Sequence, residues 1–143
     1  MDGVKVAEYL TKRNIPGVKF AATTFAVAED GNKYPGHGQT IGGITITATD
    51  RQALNSPELG IEILSALQRL YPTRFKLAGA KTLVASVNTM LALENGDDPR
   101  KIAAGWAKEL DEFKQRRAKY LIYSEAAGAA APTKDVPISQ PQR

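Results

Sequence analysis

The sequence predicts an α+β domain: a small antiparallel sheet of two or three strands covered by four helices, then a disordered C-terminal tail. Three observations carry that expectation. Two stretches rich in β-branched residues, 18–28 and 40–49, flank one polar, glycine-rich connection. On either side of them apolar residues recur at spacings of three and four, the period of a half-buried helix. From Ser124 onward the composition turns to alanine, proline and polar residues without periodicity.

Residues 3–13 place Gly3, Val6 and Leu10 on one stripe; Asp2 is the expected N-cap, and Asn14 with Pro16-Gly17 the stop. The first strand alternates Val18, Phe20, Ala22 and Thr24 with Lys19, Ala21 and Thr23. After the connection 29–40, the second strand sends Ile44 and Ile46 one way and Thr45, Thr47 and Thr49 the other. Gly42-Gly43 inside it marks a bulge or a close backbone approach. Joined by one loop, the two strands should pair antiparallel.

Asn55-Ser56-Pro57 opens the second helix, with Ser56 as the expected N-cap and a core stripe of Leu59, Ile63, Leu67 and Leu70, broadened by Leu64. Phe75 and Leu77 could add a short third strand. A third helix is expected over 81–94, its core side made by Leu83, Val84, Val87, Met90 and Leu91, closed by Asn95-Gly96. Asp98-Pro99 starts the last helix, which carries Ile102, Trp106, Leu110, Phe113 and Leu121.

Composition bounds the chemistry. The chain has 143 residues, enough for one sizeable core. It has no cysteine, so disulfides, thiol nucleophiles and cysteine metal sites are excluded. His37 is its one histidine, which excludes a metal site built from several imidazoles; no metal or cofactor is expected. No apolar run reaches the 18 or so residues of a membrane span, and MDGVKVAEYL lacks the apolar core of a signal peptide. The formal charge of +4 is small and lies outside the tail, where Glu125 and Asp135 offset Lys134 and Arg143. The basic run Lys114–Lys119 shares its helix with Glu109, Asp111 and Glu112 and falls at the C-terminal end, where the helix dipole favours cations. It reads as a solvated face, and no nucleic-acid partner is expected.

Acid–base hydrolysis needs two convergent carboxylates. Glu29, Asp30 and Asp50 are the candidates, but Glu29-Asp30-Gly31-Asn32 has turn composition and Asp50 is placed to cap a turn before Arg51. No serine is tied to His37 by a motif. The segment 36–43 has the glycines of a phosphate loop but not its GxxxxGK[ST] pattern. No catalytic residue is assigned.

A series of segments then acquires a common meaning: DG-x-K-V-A-x-Y-L (Asp2–Leu10), N-x-P-G-V-x-F (Asn14–Phe20), K-Y-x-G (Lys33–Gly36) and G-G-I-x-I-x-x-T-D-R (Gly42–Arg51). L-Y-P-x-x-F (Leu70–Phe75), N-G-D-D-P-x-x-I-x-x-x-W (Asn95–Trp106) and F-x-x-x-R-x-x-Y-L-I-Y (Phe113–Tyr123) complete it. In order and spacing this resembles the C-terminal domain of the bacterial exo-β-N-acetylmuramidases, over residues 2–123, with 124–143 as the tail. One departure is Ile41, where the family often has cysteine.

The resemblance implies a two-domain glycosidase. A larger Rossmann-like N-terminal domain carries the catalytic carboxylate, and the C-terminal domain closes one side of a cleft for peptidoglycan fragments ending in N-acetylmuramic acid. The parent is often exported or periplasmic, so the compartment of this chain stays open. The chain starts where the second domain starts, so it is expected to lack the catalytic half, as a fragment or a separate product, and to be inert alone. Loop position, not the family, selects the expected substrate contacts. Lys33 or Arg51 would meet the lactyl carboxylate, Arg51 preferred for its bidentate fork, and Tyr34 and His37 the sugar. The competing readings are an independent cell-wall glycan-binding module and a small basic nucleic-acid binder.

Overall fold

The computed structural model describes residues 1–28 and 36–122. The loop candidates Glu29, Asp30, Lys33 and Tyr34, and the tail 124–143, lie outside the described residues. The chain divides into two units, Met1–Gly105 and Trp106–Arg143.

In the first unit the order is α1 (Gly3–Lys12), β1 (Val18–Ala26), β2 (Thr40–Ala48), α2 (Ser56–Leu70), a 3₁₀ turn (Leu77–Ala80), α3 (Lys81–Val84), α4 (Val87–Glu94) and α5 (Pro99–Gly105). The fold is α+β, as the sequence predicts. β1 and β2 form a two-stranded antiparallel sheet, with Val18 opposite Ala48 and Ala26 opposite Thr40. The register runs unbroken through Gly42 and Gly43, so these glycines mark close approach and not a bulge. A Cβ on Gly3 would stand 2.0 Å from the carbonyl oxygen of Gly43, and one on Gly42 would stand 2.6 Å from that of Met1. The start of α1 thus lies directly on β2, at a distance only glycine permits.

Val6, Leu10 and Ala66 are fully buried, and Tyr9, Ile15, Phe20, Ile44, Ile63, Leu67, Leu70 and Tyr71 pack around them. The core is therefore the stripe of α1 between one sheet face and α2. Asp2 caps α1 through the Lys5 amide, as expected. Asn14 ends the helix in the left-handed region at φ 49°.

Several details differ from expectation. Asn55, not Ser56, caps α2: its Oδ1 accepts from the Glu58 amide, and its side-chain amide donates to the Glu58 carboxylate at 2.7 Å. No third strand forms among the described residues. Arg74 and Phe75 both donate to the Tyr71 carbonyl, and Leu77 opens the 3₁₀ turn, so the backbone is satisfied locally. The helix expected over 81–94 breaks at Ala85, which is left-handed at φ 51°, and Ser86 caps a new helix through the Thr89 amide. Its outward residues also differ: Met90 and Leu93 are buried, whereas Leu83, Val87 and Leu91 are exposed. The last helix is two, with α5 ending at Gly105. The Asn95-Gly96 stop is as predicted: the Gly96 and Asp97 amides return to Leu93 and Ala92 with Gly96 at φ 78°, a Schellman cap.

In the second unit α6 (Ala107–Ala118) buries no residue among those described. Glu109 sits in its first turn, and Arg116 and Arg117 in its last, the polarity that complements the helix dipole.

The glycines give paired expectations of opposite sign. Gly3→Ala meets backbone and should lower stability by about 2 kcal/mol or more. Gly60→Ala, inside α2 with nothing within 4 Å of the added Cβ, should raise it by about 0.5–1 kcal/mol. Urea denaturation of both variants beside the parent checks each.

Candidate functional site

The densest polar constellation among the described residues joins the end of α1, the middle of α2 and the start of α5. Glu62 is only 4% exposed, between Ile61 and Ile63 on the inward arc of α2. A carboxylate there needs a cation. Arg13 supplies it: Nε and Nη2 donate to the two Glu62 oxygens, each at 2.8 Å. The far side of the same guanidinium reaches Asp98, at 3.0 Å from Nη1 and 3.1 Å from Nη2. One planar fork therefore holds two carboxylates.

Asp98 also accepts from the Arg100 amide at 2.9 Å, capping α5, and the Arg100 guanidinium donates to the Arg13 carbonyl. The hydrogen bonds to Glu62 first, then to Asp98, push the Arg13 guanidinium further toward its charged form. Arg13 in turn, with the Arg100 amide, holds the Asp98 carboxyl below the usual carboxylate range. The cavity beside this cluster, between Pro16, Glu58, Pro99 and Arg100, is about 40 Å³, room for about one water. A sugar does not fit. Both carboxylates are tied to one guanidinium, Glu62 in the interior and Asp98 at the partly exposed edge, as a clamp between helices and not an acid–base pair.

This cluster was not anticipated from the sequence. Its signal was a lone acidic residue flanked by two isoleucines, four positions before the buried Ala66.

The expected site residues are placed as follows. Asp50 does cap its turn: Oδ1 accepts from the Gln52 amide at 2.8 Å and the Ala53 amide at 3.2 Å. The turn packs on Gly17, at φ 71°, where a Cβ would meet the Asp50 carbonyl oxygen at 2.3 Å. Arg51 is exposed on this turn, just past the end of β2. His37 is exposed at the other end, between Gly36 and Gly38, both at positive φ. Below it the ladder extends by one step, Val27 donating to Gln39 and Gly38 to Val27. The nine residues of β2 separate the two, about 27 Å at roughly 3.4 Å per residue. His37 and Arg51 do not meet, and Asp50 does not converge on the strand end that carries His37.

Near the Arg51 end, an open groove of about 360 Å³ runs between the end of α1 and the start of β1. Thr11, Asn14, Lys19 and Phe20 are among its lining, a mix of polar groups and one aromatic face on the scale of a small-ligand site. A larger one, about 470 Å³, lies elsewhere, at Ala78, Lys81, Met90 and Leu91. Among the described residues no cluster of acidic and histidine side chains could hold a metal ion, and no helix is long and apolar enough to cross a membrane.

Comparison with known proteins gives this architecture a relation. The family model described as "Exo-beta-N-acetylmuramidase NamZ, C-terminal" matches residues 1–123. The peptidoglycan beta-N-acetylmuramidase NamZ of Bacillus subtilis (strain 168) is 26% identical over 122 residues, 83% of this chain. The chain spans only 28% of that relative's length. Among solved structures, a DUF1343 family protein of Bacteroides fragilis shares the fold at a TM-score of 0.55 and 20% identity, over 87% of this chain and 33% of that one.

The clamp has two measurable consequences. Arg13→Met strands Glu62 in the interior and should cost roughly 3 kcal/mol in urea denaturation at pH 7. A carboxyl held below its unfolded value, near about 3.9, contributes stability above that pH and loses it as the pH falls through the depressed folded value. Stability measured stepwise below about pH 5 should therefore fall less steeply in Asp98→Asn than in the parent.

Proposed function

The chain belongs to the family of NamZ C-terminal domains, and from that membership we propose that it is the auxiliary, cleft-forming domain of a peptidoglycan-degrading exo-β-N-acetylmuramidase. It lacks bond-breaking residues of its own and works only when joined to an N-terminal catalytic domain. One observation carries the reading. Glu62 and Asp98, the carboxylates of the helix clamp, are both tied to Arg13 instead of facing each other across an open cleft. Glycoside hydrolysis asks for two unengaged carboxyl groups about 5–10 Å apart across a sugar.

The substrate of the joined protein is a peptidoglycan fragment ending in N-acetylmuramic acid. Arg51 is the proposed partner for its lactyl carboxylate; its bidentate fork suits a carboxylate, and its backbone is held by the Asp50 turn packed on Gly17. His37, at the other end of β2, would meet a part of the fragment beyond the sugar that Arg51 holds. Lys33 and Tyr34 lie outside the described residues and stay proposed contacts for the lactyl carboxylate and the sugar.

Two measurements test this. The purified chain should release no muramic acid from muropeptides; release abolished by changing one of its acidic residues would overturn the reading. Joined to the remainder of the Bacillus subtilis relative in place of the matched segment, Arg51→Ala should lower kcat/KM by about 10–100-fold, the range of a lost charged hydrogen bond. An unchanged kcat/KM with the fold intact would remove Arg51 from the site.

A further inference from the structure

We propose that the apolar face of α3 and α4 is the surface against which the N-terminal body of a longer NamZ-like protein docks. The inference rests on the auxiliary-domain reading and adds the face that reading leaves open. Val87 and Leu91, one turn apart on α4, are 68% and 51% exposed, and Leu83, on α3 before the break, is 85% exposed. On the far side of α4, Leu93 is buried in the domain. A helix that is apolar on both sides belongs in the interior of a larger body. The break at Ala85, left-handed without being glycine, turns α4 away from α3 and opens the groove of about 470 Å³ that contains Val87, Met90 and Leu91. Lys81 and Glu94 bring one charge of each sign to an otherwise apolar lining, the pattern of an interface with a polar margin.

The choice of occupant follows from size and from where the chain is anchored. Eight residues line the groove, against about 20–30 a side in a stable complex of free partners. A body on the same polypeptide needs no such area, because tethering raises its effective concentration to about the millimolar range. The match to the Bacillus subtilis relative leaves 72% of that protein outside it (100% less the 28% covered), and the family model is that of a C-terminal domain. What lies outside therefore comes largely before α1.

The point at which it would join is held firmly. The Tyr71 hydroxyl accepts from the Asp2 amide at 3.0 Å and donates to the Asp2 carbonyl at 3.3 Å. From Tyr71 to Leu77, next to Ala78 of the groove, the chain spans at most about 22 Å. A preceding body would thus leave the domain within about 22 Å of Leu77, beside the groove.

Because the chain has no cysteine, single ones report on this face. Val87→Cys and Leu91→Cys, with Thr47→Cys on the sheet as control, would be alkylated with iodoacetamide and read by mass spectrometry. Each is measured in the 143-residue chain and in the fusion to the N-terminal remainder of the Bacillus subtilis relative. Positions 87 and 91 should react at least about tenfold more slowly in the fusion, with position 47 little changed, since access controls thiol reactivity. Protection of position 47 alone would overturn the face while leaving the auxiliary reading in place. No protection at any of the three would also overturn the face, while the auxiliary reading would still stand or fall on the muramic acid assay. Slow reaction already in the isolated chain would assign the face to a second copy if sedimentation shows a dimer, or to the chain's own segments if it shows a monomer. Either result overturns the proposal.

Discussion

A carboxylate inside a small domain has to be neutralised, and much of the first unit is arranged around doing so for Glu62. The cation comes from the last residue before α1 turns off, and the same guanidinium carries on to the residue that starts α5. Three helices that are distant in sequence are thereby fixed at one point, where apolar contact alone would let them slide. Such a knot adds geometric definition more than net free energy, because desolvating the charges offsets much of their attraction.

What could be read in advance was what depends on short range. The antiparallel hairpin, the Asp2 cap, the Asn95-Gly96 stop and the inward stripe of α1 each follow from neighbouring residues, and each is present. The Asp50 turn was legible for the same reason. What escaped depends on partners far along the chain. Glu62 meets Arg13 across 49 positions, and no periodicity announces that pairing. Val87 and Leu91 are helical in spacing, yet they point outward, because spacing fixes a common face and not what lies opposite it. Ala85 breaks the helix without a glycine or proline to mark the place.

The same distinction runs through the reading of function. Ordered motifs spread over the whole domain were enough to place it in its family, whereas the individual contact residues were chosen by their position in loops. The fold separates two of them. Arg51 stands beyond one end of β2 and His37 before the other, so as proposed glycan contacts they would form an extended or divided surface. Such a spread would suit the proposed wall more than a pocket, since a wall meets a long ligand at several points.

A sheet of only two strands has no interior strand. Among the described residues neither β1 nor β2 pairs with a third strand, and Lys19 is the one charged side chain in either. Threonine and isoleucine alternating along β2 make its margin a ready template for a third strand from another molecule. Aggregation of the separated domain would begin there, and a well-placed lysine or proline on the outer rim of β2 is the natural safeguard when the protein is handled at high concentration.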